Sequence, residues 1–193
     1  EEKRNERKLL ESDYLLGVHD SHRMGGLRFR VTPDGPFLDD NQYLASPPWT
    51  SLRELEQISL NLERDDAADN PDYSKWLRML ISPGSSLGGA RPKASVLDNA
   101  GSLWIAKFPS RRDDVDVGGW EEVAHVLARR AEIETATTQS KQFASKHHTF
   151  LSKRFDRASD GGRLHFASAM TLLQRRDGDG AASGVSYLEL AEL

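Results

Sequence analysis

Lys107 lies in Leu103-Trp104-Ile105-Ala106-Lys107-Phe108-Pro109, a stretch apolar on both sides of the charge. An ammonium there must snorkel to solvent or find an anion, because burying it bare is costly. Downstream, Glu121 and Glu122 open a helical pattern, where the helix dipole favours carboxylates. At helical spacing Glu121 shares a face with Ala124, His125 and Ala128, which turns it toward whatever the helix packs on. Upstream, Gly88-Gly89 sit in a loop of small residues running from Ser82 to Ala90. Glycines let the main chain approach a polyanion closely, and successive N–H groups form an anion nest. Arg91 and Lys93 add positive charge beside it. Taken singly, these features also describe a surface turn, a strand-end lysine reaching solvent before Pro109, and acidic residues at a helix start. The chemistry they offer together is the gripping of a polyphosphate.

The elements that must position them follow from the pattern. Lys93–Leu97 and Leu103–Phe108 are short apolar runs around Asp98-Asn99-Ala100-Gly101, which predicts a β-hairpin. A helix is expected from about Gly119 to Glu134, with Trp120, Val123 or Ala124, Leu127 and Ala131 as its apolar stripe. Phe150–Phe155 reads as a strand. The order is loop, strand, turn, strand with Lys107, helix with an early Glu, strand. A kinase small lobe requires those pieces in that order, to cover phosphates, hold their oxygens, orient the lysine and lead to the backbone that reads adenine. Before residue 85 the pattern predicts a helix over residues 1–16, a strand over Leu27–Val31, a helix led by Leu52, Leu55, Ile58 and Leu62, and a short helix over Tyr73–Ile81. The acidic stretch Asp65–Asp72 suggests a boundary near residue 70. A helix begins at Tyr187.

Composition narrows the classes. Of 193 residues 29% are charged and 37% hydrophobic, an ordinary globular balance. The net charge of -4 speaks against a dedicated nucleic-acid binder, so no direct nucleic-acid contact by this chain alone is expected. The absence of cysteine removes disulfides and thiolate chemistry and suits the cytoplasm. No apolar run approaches the roughly 20 residues that span a bilayer, so no membrane association is expected. No Walker motif and no Gly-x-Ser-x-Gly elbow occurs. His147-His148 reads as a surface pair, and His19-Asp20 as a structural turn.

The motifs resemble one family along nearly the whole chain. Ser86-Leu87-Gly88-Gly89-Ala90-Arg91-Pro92-Lys93-Ala94 is similar to the Ser-x-x-Gly-Ala-x-x-Lys loop of HipA-like serine/threonine kinases, the toxins of type II toxin–antitoxin pairs. The Lys107 strand looks like theirs. Lys153-Arg154-Phe155-Asp156-Arg157 resembles their Glu-Arg-Phe-Asp-Arg hinge, with Lys153 in place of the usual Glu. Asp13–Val18 and Arg23–Phe29 match the end of the family's N-terminal domain, and Tyr187–Ala191 its next helix.

The resemblance implies an α+β fold. Residues 1–70 would end a small N-terminal α/β subdomain, and residues 71–193 would be a kinase-like small lobe with an antiparallel sheet and an αC-like helix. The large lobe is expected beyond Leu193. The loop backbone at Gly88, Gly89, Ala90, Arg91, Pro92 and Lys93 would wrap the phosphates of ATP. Lys107, paired with Glu121, would contact them, and the backbone at Lys153, Arg154 and Phe155 would hold adenine. Ser86 aligns with the serine that the family phosphorylates on itself. The resemblance further implies Mg2+, a protein substrate, and a HipB-like DNA-binding antitoxin as partner. It implies no metal site and no catalytic base within these residues, the base lying past Leu193, so this piece alone is expected to be inactive. The alternative is a truncated binding module that pairs with an antitoxin or a separate large lobe without catalysis.

Overall fold

A computed structural model describes residue 8 and residues 10–38, 46–84, 87–89 and 91–192. The fold is α+β, built around one four-stranded antiparallel sheet. In chain order the elements are α1 (Glu11–Leu16), α2 (Leu52–Leu62), α3 (Tyr73–Gly84), β1 (Lys93–Leu97), β2 (Leu103–Lys107), α4 (Val117–Arg130), β3 (Thr138–Lys141), β4 (Thr149–Lys153), α5 (Ala169–Leu172) and α6 (Tyr187–Ala191). The strand order is β1-β2-β4-β3.

The β1–β2 hairpin forms as the apolar runs require. Asp98 organises its turn, accepting from the N–H of Ala100 (2.9 Å) and Ser102 (2.8 Å) and from the indole N–H of Trp104 (2.8 Å). Gly101 takes φ +78, which only glycine adopts without strain. The register pairs Lys93 with Lys107 and Leu97 with Leu103. Residues 46–48 run along the outer edge of β1, where Pro47 accepts from Leu97 N–H (3.0 Å). Prolines on that edge offer no donor and so blunt it against further pairing.

Alternation divides the sheet into two faces. Ala94, Val96, Trp104, Ala106 and Leu151 turn one way and share a buried core with Leu52 and Leu55 of α2 and with Phe108. The sheet core thus draws on residues both before and after position 70. Buried Glu56 of α2 ties the β3–β4 connection to this layer, accepting from Ala144 N–H (2.9 Å), Ser145 N–H (2.8 Å) and the Thr149 hydroxyl. Helix α4 covers the opposite face, above β3 and β4.

Four expectations need correction. The run over Leu27–Val31 makes only an isolated bridge between Arg30 and Phe37; a pair so short has no third strand to support it. Of the helix expected over residues 1–16, positions 1–7 and 9 lie outside the described residues, and within the described ones α1 starts at Glu11. Helix α4 ends at Arg130, and Glu132 adopts φ +61. Its apolar stripe faces outward: Trp120 is 66% exposed, and Val123 and Leu127 are exposed too. The face turned to the sheet is Gly118, Glu121 and His125, because only glycine permits the helix start to lie against the main chain of β4. Among the described residues no helix is long and apolar enough to cross a membrane.

Candidate functional site

Because Trp104 and Ala106 turn into the core, Ile105 and Lys107 project from the α4 side of the sheet. Lys93, Lys107 and Phe150 form a row across β1, β2 and β4. The ammonium of Lys107 lies 5.3 Å from the centre of the Phe150 ring and forms an ion pair with Glu121 of α4. These side chains are 32% and 25% exposed, so the pair is reachable from solvent. An ion pair of this exposure contributes about 0–1 kcal/mol to stability. What it does is fix where a positive charge points.

The position of Glu121 is set at the start of α4. Asp116 caps the helix, accepting from Gly119 N–H (3.0 Å) and from His148 N–H (2.9 Å), and it also pairs with the His148 ring. Burial pushes the Asp116 carboxyl up, but the N–H groups of His148 and Gly119 and the His148 ring outweigh it and hold it below the ordinary value. A Cβ on Gly118 would stand 2.1 Å from the His148 carbonyl oxygen. Cap and glycine together press the first turn of α4 onto the approach to β4, and His125 stacks edge-on against Phe150 with ring centres 5.2 Å apart. His147-His148 is therefore not a surface pair. His147 is buried, its Nε2 3.2 Å from the Asp113 carbonyl, and His148 staples α4 to β4. The sequence signal that was available is an Asp directly before Val-Gly-Gly, a typical N-cap position.

Next to Lys107, the ammonium of Lys93 donates to the carbonyls of Gly88 and Gly89, both at 2.8 Å. Burial pushes this ammonium below its ordinary value, and the neighbouring charges of Lys107 and Arg91 push the same way. Gly88 and Gly89 are exposed, and Gly89 has φ +90. Pro92 accepts from Phe108 N–H (2.9 Å), which closes the ends of β1 and β2 together. Arg91 turns aside into a two-pronged pair with Asp113 (3.1 and 2.6 Å), whose carboxylate also takes Ser110 N–H (2.8 Å). Its charge is engaged by the loop after β2. Ser86 and Ala90 lie outside the described residues.

The hinge-like motif lies at the other end of β2. Lys153 ends β4 opposite Trp104, and Arg154 N–H donates to the Leu103 carbonyl (2.9 Å). The Arg154 side chain is buried and carries no exposed charge, whereas Phe155 is 58% exposed and stacks on Phe166 with ring centres 4.9 Å apart. A cleft of about 330 Å³ opens here, lined by Leu97, Gly101, Leu103, Lys153, Arg154 and Arg157 among others. The structure thus brings Gly88, Gly89, Lys93, Lys107 and Glu121 to one end of the hairpin and Lys153, Arg154 and Phe155 to the other. His19-Asp20 is part of a buried turn, with Asp20 paired to Arg28 (2.5 Å) and Arg163 (2.9 Å). Among the described residues no group of three or more His, Cys, Asp or Glu side chains could hold a metal ion.

No curated protein and no solved structure matches the chain. Residues 85–193, more than half of the chain, match the family model of the HipA-like C-terminal domain, and the protein belongs to the HipA-like family.

Proposed function

We propose that this chain grips ATP as part of a cytoplasmic protein serine/threonine kinase, the toxin of a toxin–antitoxin pair. The carrying observation is the Lys107–Glu121 ion pair on the open sheet face, beside the exposed Gly88, which has nothing within 4 Å of its Cβ position. The phosphates lie against Lys107 and the backbone of Gly88, Gly89 and Lys93. Adenine occupies the cleft by Leu97, Leu103 and residues 153–155. Leu103 and Lys107 are the two ends of one strand, about 13 Å apart at the usual rise per residue. That span suits a nucleoside triphosphate lying lengthwise on β2. The chain's own residues bind and orient: Glu121 keeps the Lys107 ammonium aimed, and that charge favours the triphosphate and the charge that develops on its γ-phosphoryl group. Transfer to a Ser or Thr of a protein also needs a base and metal-holding carboxylates, and none of the residues assigned here fills those roles. On this reading Ser86 is the self-modified residue; its phosphate would bring up to two negative charges to the loop that ATP's phosphates approach.

The test is nucleotide-dependent stabilisation. ATP at a hundredfold excess over its Kd raises stability by about 2.7 kcal/mol, a shift of several degrees in the melting temperature. Lys107→Ala is expected to abolish the shift. A folded chain that shows no response to ATP at millimolar concentration overturns the reading.

A second reading is favoured by the exposed apolar side chains Trp120, Val123 and Leu127 on α4 and Tyr187 and Leu188 on α6. It is a module that binds an antitoxin or a large-lobe partner without catalysis, since exposed apolar patches mark interaction surfaces. Binding of such a partner at unchanged affinity with and without ATP would favour it.

A further inference from the structure

The most completely buried ion pair among the described residues is Arg154–Asp156, with both side chains at 0% exposure. All three nitrogens of its guanidinium are engaged. Nε and Nη2 donate to the two oxygens of Asp156 (2.8 and 2.6 Å), Nη1 to the His22 carbonyl (2.9 Å), and Nη2 also to the Arg23 carbonyl (3.1 Å). Asp156 in turn accepts from the N–H of Gly25 at 2.7 Å. Arg157 adds a second fork, with Nη1 on Asp156 (2.7 Å) and Nη2 on the carbonyls of Ser21 (3.1 Å) and Arg23 (2.9 Å). The turn at residues 21–25 is thereby bonded into the segment that follows β4, across sequence separations of 131 to 136 residues.

At this point the chain leaves the sheet. The last ladder partner of β4 is Lys153, and the ladder therefore no longer fixes the backbone of residues 155–157. On one side Leu164 N–H donates to the Asp156 carbonyl (3.1 Å) and Arg157 bridges to Arg163; the guanidinium–carboxylate network is what bonds the segment to the turn at 21–25. We propose that Arg154 and Asp156 are positioning residues for the purine: they hold the backbone after β4 against the turn at 21–25, so that the base end of the site is built by two segments remote in sequence. This rests on the nucleotide reading above and divides the site into two separable parts. Lys107 and Glu121 govern the phosphates. Asp156, acting through the backbone beside it, governs discrimination of the base. Arg154 is accordingly a brace behind the cleft and not a ligand for phosphate.

Calorimetric titration of the chain with ATP, GTP and inorganic tripolyphosphate tests this. The unmodified chain is expected to bind ATP more tightly than GTP. In Asp156→Asn the ATP preference over GTP should fall about tenfold, the worth of one well-made hydrogen bond, with tripolyphosphate binding unchanged. Arg157→Lys removes only the outer fork, leaves the Arg154 pair intact, and should lower the same ratio by a smaller factor. A purely structural role would weaken all three ligands together, in step with the unfolding midpoint, and that outcome overturns the proposal. If Asp156→Asn does not fold, Arg157→Lys decides: an unaltered ATP-to-GTP ratio overturns it. Absence of ATP binding by the unmodified chain overturns the nucleotide reading itself. Tight ATP binding with the ratio intact in both variants overturns only the positioning role.

Discussion

Lys107 and Glu121 each keep a quarter to a third of their side-chain surface in solvent, so their attraction is screened and their loss is tolerable to the fold. Lys107→Ala and Glu121→Gln should therefore move stability by no more than about 1 kcal/mol, roughly 2–4 °C in a chain of this size. The same substitutions are expected to remove the stabilisation that ATP confers, because that effect depends on a charge aimed at the phosphates. Thermal unfolding with and without ATP separates the two quantities. A large loss of stability without ligand would make the pair a structural element and not a binding one. The aromatic floor supports this division: Phe150 beneath Lys107 is buried, and its Ala variant should cost about 3–5 kcal/mol in unfolding measurements.

At the scale of elements, α4 is placed by contact with main chain. At Gly118 a Cβ would meet the His148 carbonyl oxygen at 2.1 Å, its carbon at 2.9 Å and the Phe150 nitrogen at 3.3 Å. None of these atoms can rotate away. Alanine in a helix interior gains about 1 kcal/mol over glycine, but overpacking against backbone costs about 1–3 kcal/mol or more, and here the clash is the larger effect. Gly118→Ala should lower the urea midpoint and also weaken ATP binding, since lifting α4 carries Glu121 away from Lys107. Gly88→Ala is the control: nothing lies within 4 Å of its Cβ position, and stability should stay within about 0.5 kcal/mol. Equal loss in both would refute close approach as the reason for glycine at 118.

The elements that carry the site were the legible ones. The hairpin announces itself by two apolar runs around an Asx-Gly turn, and β4 and the start of α4 by their patterns. Strand β3 is Thr-Gln-Ser-Lys, an edge strand with no apolar signal. The stripe of α4 gave the right helix and the wrong inward face, because the sheet is approached through a glycine that a hydrophobic pattern ignores. Arg91 and Arg154 were read as backbone contacts to the nucleotide, Arg91 also as added charge; where their side-chain charges go was not legible, and they are met by Asp113 and by Asp156 with the turn at 21–25. Asp156 is only two residues from Arg154, but Asp113 lies 22 residues from Arg91 and His22 132 from Arg154, and partners so remote leave no trace in local spacing.

At the scale of the molecule, the sheet core and the ionic brace both join segments before residue 70 to segments after it. The brace makes stability depend on acid in a definite direction. Burial raises the Asp156 carboxyl, yet the Arg154 hydrogen bond, the N–H of Gly25 and the charges of Arg154 and Arg157 outweigh it, so its pKa lies below the ordinary 3.8. Asp20, held by Arg28 and Arg163 against its own burial, is lowered in the same way. With a depressed folded value, the unfolded chain binds more protons in the window just below 3.8, and stability falls as pH falls through it. The contribution is complete above that window and should be unchanged from about pH 5 to 7. Urea titrations across this range should give a flat midpoint that drops below about pH 4, each such carboxylate adding at most ~1.4 kcal/mol per pH unit to the slope. Asp156→Asn leaves a buried guanidinium without its counter-charge and should cost about 3–5 kcal/mol at neutral pH, while making the acid limb shallower, since one proton-linked group is gone. An acid limb of unaltered slope in that variant would mean that the Asp156 carboxylate is not what acid disrupts, and that the turn at 21–25 is held to the sheet by other contacts.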